Sequence, residues 1–490
     1  MTTPVTYQTA ADAPVSAAAQ PAWRRYRNTW VFLATFLLFL VHLLTSRHQQ
    51  QYYDAAHYWR LATEFYRDGE FSIYHFNSTF RGYLFPLLYY PAAVIVRDFA
   101  PESGNLIIKI MGALCAATLF AVVCPGLWEK ASKRPVGLLR RACFVVVCFV
   151  LWRDHFNFTL TDFPATLALF GALLAAYHVR KAWAALLSGA LIAAAIYIRP
   201  ICLAAAPLVL ALLVQQLMSN GRLLHWKAAL RVGFFALAFL LVAWPQYLIN
   251  LRNYQSPSLF VLGRGDGNEF VVNGQDNLYL FKLNEGFNAQ KYETNIGLDY
   301  AKAQIFYLDP AGRALFATNG GKMLGSYQEY FTFVLQHPLD MAALYTRHLF
   351  NALDVLYASP YVTKVYASTT ALALFNYTVL FASFLVLVVR AGDVRPRHLL
   401  LIAAVLITCA ASMPLMVECR YFVPMHMFFY AVACFGWPAQ WQARQVNRGQ
   451  LLSVGLAYVL FLVVCLSFSS HTQSMLELKA KTIQYTPPTW

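Results

Sequence analysis

The stretch AWAALLSGALIAAAIYI-RP-ICLAAAPLVLALLVQQLM, residues 182–218, decides the fold. Two apolar runs, 182–198 and 201–218, flank a single charged dipeptide, Arg199-Pro200. Runs of this length read as membrane-crossing helices, since about 20 residues cover a hydrocarbon core about 30 Å thick. Arg199-Pro200 then occupies the tight turn between two antiparallel spans. Outward from this pair the pattern repeats at 29–46, 105–127, 142–157, 162–178, 232–249, 368–389, 399–416, 421–437 and 450–468, which makes eleven spans. The whole chain of 490 residues agrees: 59% is hydrophobic and only 12% charged, with a mean hydropathy of +0.47. Soluble domains carry about a quarter charged residues, so a soluble fold, disorder, collagen and coiled coil are excluded together. The expected fold is an all-α polytopic membrane protein.

A net charge of +15 raises the question of nucleic acid, and the distribution of the charge answers it. Eighteen Lys and Arg fall in short segments between spans, among them Arg24, Arg25, Lys130, Lys133, Arg134, Arg140, Arg180, Arg222, Arg395 and Arg448. Only Asp12, Glu129 and Asp393 accompany them, so these segments hold the entire excess and the remaining loops are neutral. This is the positive-inside bias of a membrane protein, and it orients the chain. Residues 1–28 are then a disordered cytoplasmic tail, 29–468 a membrane domain, and 469–490 a tail on the outer side. The apolar run 84–96, broken by Pro86 and Pro91, reads as an interfacial helix, because a span there would reverse the charge rule. The nine cysteines lie mostly in apolar runs and show no metal or disulfide spacing.

Two outer segments, 47–104 and 250–367, exceed what mere connections need. The first holds an amphipathic stretch, Tyr53–Arg67, with Ala55, Tyr58, Trp59, Ala62, Phe65 and Tyr66 at helical spacing. The second contains a Gly/Asn/Asp-rich loop at 263–268 and a helix over Leu339–Leu353. Neither contains a phosphate-loop or dinucleotide motif.

The functional signal is a set of ionisable residues at the outer ends of spans: Asp54 and His57, Arg81, Asp154, His155, Asp162, Arg199, Arg252, and Glu418, Arg420 and Tyr421. Singly, each has a plain structural explanation: an Arg can anchor at the interface, Asp162 can cap a helix before Phe163-Pro164, and His57 or Asp154 can be surface residues. Charges close to hydrocarbon are costly, however, and several acids and arginines converging on one face call for pairing or function. A carboxylate there can take a proton from an attacking hydroxyl, while arginines neutralise a departing phosphate. A reactant held by a lipid tail fits such a site. The two acids could also share a divalent cation.

These residues resemble the GT-C superfamily of integral-membrane glycosyltransferases, nearest to the aminoarabinose transferase and protein O-mannosyltransferase branch. The resemblance covers about 29–437. It is carried by Asp54-Ala55-Ala56-His57-Tyr58, Arg81–Pro91, Thr161-Asp162-Phe163-Pro164, Ile198-Arg199-Pro200, Trp244-Pro245 with Arg252-Asn253-Tyr254, His337-Pro338-Leu339-Asp340 and Arg420-Tyr421-Phe422-Val423-Pro424. It implies a polyprenyl-phosphate-linked sugar donor and action on the periplasmic or lumenal side. Asp54 takes the place of the base, Asp162 that of the second acid, and Arg81 that of the basic residue at the donor phosphate, with Arg252, Arg420 and Tyr421 as further phosphate ligands. His57, Tyr58, Tyr83, His155, Arg199 and Glu418 are the expected substrate-binding residues. The chain departs from many relatives in having Asp54-Ala55 at the first acid and Arg81-Gly82-Tyr83 in place of a basic residue followed by Pro-Pro. The expectation is an inverting transferase of the bacterial inner membrane that moves one sugar to a lipid, glycan or protein hydroxyl. A lipid-linked oligosaccharide polymerase or ligase, and a flippase for a polyprenyl-linked sugar, are the rival readings.

Overall fold

The computed structural model describes residues 27–100, 103–179, 181–218, 225–265, 277–437 and 447–477. The N-terminal tail to residue 26, the loop tip 266–268 and residues 478–490 of the outer tail lie outside the described residues.

The described chain is mostly helical. It opens with α1 (Arg27–Thr45) and α2 (Tyr53–Glu64), then a small hairpin of β1 (Tyr66–Arg67) and β2 (Glu70–Phe71). The hairpin turns on Asp68 and Gly69, both at positive φ (55° and 90°), as a tight two-residue loop requires. Next come α3 (Leu84–Asp98) and α4 (Gly104–Ala117), which runs through a π-helical turn, Thr118–Val123, into α5 (Cys124–Ser132). The bundle continues with α6 (Leu138–Trp152), α7 (Asp162–Ala176), α8 (Ala182–Ile198), α9 (Ala206–Met218) and α10 (His225–Tyr254). The long outer segment holds α11 (Leu278–Glu285), β3 (Ala289–Asn295), β4 (Gln304–Leu308), α12 (Pro310–Ala317), α13 (Tyr327–Gln336), α14 (Pro338–Leu353) and β5 (Tyr361–Val362). Four bundle helices close the chain: α15 (Thr370–Val389), α16 (Pro396–Ala410), α17 (Val423–Phe435) and α18 (Arg448–Ser474).

Among the described residues, six helices are long and apolar enough to cross a membrane: Asn28–Thr45, Gly104–Ser132, Pro200–Met218, Trp226–Tyr254, Thr370–Val389 and Arg448–Ser474. Shorter apolar helices occupy three further expected spans, at Asp162–Ala176, Ala182–Ile198 and His398–Ala410. The last of the six makes the membrane assignment physical. Its apolar window has a mean hydropathy of 2.6, yet only 6% of it is buried in the protein. So large an exposed apolar surface is stable against lipid and not against water. In the interior, α8 packs on α10 where Gly189 meets the Phe235 carbonyl, an approach that any Cβ would block. The run 84–96 forms α3, which is not among the helices long enough to cross.

Two details differ from the sequence reading. The amphipathic helix stops at Glu64, and Tyr66-Arg67 turn into the hairpin instead. The fold is also not wholly α: β3 pairs antiparallel with β4 and parallel with β5, giving the order β4-β3-β5. The strand AQKYETN is too polar to read as a buried element. It is buried because Lys291 and Glu293 point the same way and pair at 3.1 Å.

Candidate active site

The N-termini of α2 and α7, the C-terminus of α8 and the turn between α16 and α17 meet at one end of the bundle, beside the loop 78–82. Asp54 is the second residue of α2, where a carboxylate favours the helix dipole. Its predecessor Tyr53 has φ 43°, a left-handed conformation that costs a non-glycine residue of order 1–3 kcal/mol. Tyr361 clamps that strained turn: its hydroxyl donates to the Tyr52 carbonyl at 2.6 Å and accepts from the Ala55 amide at 3.2 Å. Thr159 adds a hydrogen bond to the Ala55 carbonyl.

Arg81 approaches from the loop, with its amide bonded to Ser78 Oγ at 3.2 Å. The next residue, Gly82, lies against the Tyr197 carbonyl of α8, with no room for a Cβ. The Arg81 guanidinium stacks over Tyr58 at 4.3 Å and donates through Nη2 to Asp54 Oδ1 at 2.6 Å. Arg420 holds the other carboxylate oxygen, Nη2 to Oδ2 at 3.2 Å. It also donates twice to Glu418, through Nε to Oε2 and through Nη2 to Oε1 at 3.1 Å. Its Nη1 lies 3.7 Å from Asp162 Oδ2, while Asp162 Oδ1 accepts from Arg199. Tyr421 donates to Glu418 Oε1 at 3.3 Å, and its ring lies under Arg199 at 4.9 Å. The result is an alternating row: Arg81, Asp54, Arg420, Asp162, Arg199.

Exposure separates the acids. The Asp54 side chain is 38% accessible, against 3% for Asp162 and 2% for Glu418. Asp54 therefore faces the opening, and the other two hold arginines from behind. Burial works to raise the Asp54 pKa, but Arg81 and Arg420 outweigh it and keep the carboxyl well below the usual range. Burial, followed by repulsion from Arg81 and Arg60, lowers the His57 imidazole to about 4, so it is neutral at physiological pH.

Not every expected residue joins. Arg252 is in the last turn of α10, exposed, with its guanidinium over Tyr74 at 4.3 Å. Among the described residues it makes no ion pair with the row of charges. The helix simply runs on past residue 249, carrying Arg252 with it. Tyr83 points away from the site: it is buried, and its hydroxyl donates to the Val242 carbonyl of α10 at 2.7 Å. His155 is buried against Trp152 and Phe163, with Nδ1 on the Ala358 carbonyl at 3.0 Å. Asp154 pairs with His42 of α1 at 2.8 Å.

The structure adds two residues. Lys282 of α11 is solvent-accessible and within the field of Asp54, Arg81, Glu418 and Arg199; the protein around it lowers its ammonium pKa, and Asp54 opposes that. Tyr292 of β3 lies within the field of Glu418, Tyr421 and Asp54. A lone lysine in the apolar run Leu278–Leu283 was the one available signal for Lys282; nothing in the sequence marks Tyr292. Three acids (Asp54, Asp162, Glu418) and three arginines (Arg81, Arg199, Arg420) cancel, and Lys282 leaves the cluster one positive charge in excess. A divalent cation shared by Asp54 and Asp162 would have to displace Arg420, which stands between them. Among the described residues, no group of three His, Cys, Asp or Glu could hold a metal ion.

Fold and site together define a helical membrane protein with a water-accessible acid–arginine cluster at one end of its bundle. Compared with family models and with curated proteins, the chain finds no match.

Proposed function

We propose that the protein is an inverting glycosyltransferase of GT-C type, an eleven-pass protein of a bacterial inner membrane whose cluster faces the periplasm. Its donor is a polyprenyl-phosphate-linked sugar, and its acceptor is a hydroxyl of a lipid, glycan or protein. The single observation that carries this reading is Asp54: an accessible carboxylate held by guanidiniums at 2.6 and 3.2 Å in a cluster with one surplus positive charge. A sugar phosphodiester brings one negative charge, which that surplus neutralises.

In the step we derive, the donor phosphate binds Arg81 and Arg420 and draws them off Asp54. The carboxylate, released from two cations, becomes a stronger base and takes the proton of the acceptor hydroxyl. The acceptor oxygen forms its bond to the anomeric carbon from the face opposite the phosphate. The carbon–oxygen bond to phosphate breaks, and its electron pair stays on the phosphate oxygen. The leaving polyprenyl phosphate thereby gains a second negative charge, stabilised by the same guanidiniums. Asp162 and Glu418 keep Arg420 anchored while its Nη2 turns from Asp54 to the phosphate, and Arg199 holds Asp162.

The test is a panel of synthetic polyprenyl-phosphate sugars offered to the purified full-length chain, with donor binding and loss of the phosphate-linked sugar followed together. One sugar is expected to bind, and its loss from the phosphate is expected to accelerate when an acceptor hydroxyl is supplied. If no lipid-phosphate sugar binds, the reading fails.

A further inference from the structure

The end of the bundle remote from the acid–arginine row contains a second binding site. Helix α17 starts just after Arg420 and ends at Phe435; at about 1.5 Å per residue, its far end lies about 20 Å away. There α5, the last turn of α15, the C-terminal part of α17 and the N-terminal two-thirds of α16 surround a cavity of about 270 Å³. Its walls are apolar, with Leu127, Trp128, Leu401, Val405, Phe428 and Val432 among them. Its mouth is basic, carrying Arg134, Arg390, Arg395 and His398.

Among the described residues Asp393 is the one acid lining this cavity, and it is already engaged. Arg390 grips it through Nε at 2.8 Å and Nη2 at 2.6 Å, and uses Nη1 to cap the Gly436 carbonyl at 2.8 Å. Arg134 and Arg395 act on Asp393 only through their field. Both are exposed, and among the described residues neither has a carboxylate in ion-pair contact. Arg140 lies close by but is committed to the carbonyls of Phe435 and Trp437, at 3.0 and 2.9 Å. The mouth thus keeps two guanidiniums for an anion directly over an apolar chamber.

We infer that this cavity binds an anionic glycerophospholipid of the surrounding leaflet, with acyl chain inside and phosphate between Arg134 and Arg395. Charge complementarity picks out that occupant. A zwitterionic lipid would bring a quaternary ammonium into the same basic mouth and cancel the charge of its phosphate there, and free phosphate would leave the chamber unfilled. The position also suits it, because the mouth belongs to the basic segments between spans, which lie at the anionic face of a membrane. The inference does not rest on the transferase reading, since its readout is lipid retention.

The experiment is native mass spectrometry of the full chain in neutral detergent, with phosphatidylglycerol or phosphatidylcholine of identical chains added and inorganic phosphate as competitor. Phosphatidylglycerol is expected to be retained about thirty-fold more strongly, about fivefold for each of Arg134 and Arg395. The double variant Arg134→Gln/Arg395→Gln should bring the two lipids to parity; both side chains are exposed, so folding is retained. Ala431→Phe, which fills the chamber from its wall, should remove phosphatidylglycerol with the arginines intact. Equal retention of the two lipids by the unaltered chain, unchanged preference in the double variant, or displacement by millimolar inorganic phosphate would each overturn the inference. Should Ala431→Phe fail to fold, the double variant decides.

Discussion

Replacing Asp54 with asparagine separates a catalytic base from a structural ion-pair partner. The carboxylate binds Arg81 at 2.6 Å and Arg420 at 3.2 Å, and a donor phosphate must compete with it for both. Each pair is discounted because the Asp54 side chain is 38% accessible, which leaves about 0.5–1 kcal/mol apiece. In Asp54→Asn the side-chain amide would keep the shape and a carbonyl acceptor but lose the charge. Neither arginine would be stranded, since Arg420 retains Glu418 and Arg81 retains its stack on Tyr58. The donor should then bind about 5–30-fold more tightly, the equivalent of about 1–2 kcal/mol. Turnover should fall about 10²–10⁴-fold for want of the base. The assay is equilibrium binding of a polyprenyl-phosphate sugar beside single-turnover transfer, on protein whose thermal unfolding matches the parent. Tight binding with lost transfer is the signature. Turnover within about tenfold of the parent would refute the base, and donor affinity weakened in step with turnover would refute the competition between carboxylate and phosphate.

The same competition predicts a split in pH dependence. Activity needs Asp54 ionised and is lost as pH falls through its pKa, which the arginines hold below the usual range in the free protein. The acidic limb of kcat/KM should therefore lie below that range, while the limb of kcat, set by the donor-bound state with the arginines turned to phosphate, should lie at higher pH; coincident limbs would contradict the exchange. Gly82→Ala sets a Cβ against the Tyr197 carbonyl, so it should lower stability by about 1–3 kcal/mol and, by moving the Arg81 loop, weaken donor binding; thermal unfolding and a binding isotherm check both. Arg252→Ala removes only a stack on Tyr74 worth about 0.5–1 kcal/mol, and donor affinity measured by the same isotherm should stay within about twofold of the parent.

Much of the fold was readable because a bilayer imposes a coarse signal. Runs such as Thr370–Val389 declare themselves by length and hydropathy, and every expected span is occupied by a helix. Helix ends were harder. Hydropathy fades where a helix leaves lipid, but hydrogen bonding does not, so α10 carries Arg252 past residue 249. The polar strand β3 was invisible for a related reason. Its burial depends on Lys291 finding Glu293, a pairing that becomes visible only once both side chains share a face.

The site divides along the same line. Asp54, Arg81, Asp162, Arg199, Glu418 and Arg420 were all singled out, because unshielded charges beside hydrocarbon stand out one at a time. Their roles were not readable, since a role depends on which charge neighbours which. Asp162 reads as a second acid of the site in the sequence; the structure places it at 3% accessibility between Arg199 and Arg420, where it holds both guanidiniums. Tyr83 looks like a site residue because it follows Arg81 by two positions. Gly82 between them is pressed against α8, and beyond it the tyrosine turns toward α10. Arg420 gains most from the structure. Among the described residues it alone touches Asp54, Asp162 and Glu418, so it couples the accessible acid to the buried ones, and an anion placed on it, such as the phosphate of the proposed donor, would be felt at Asp54.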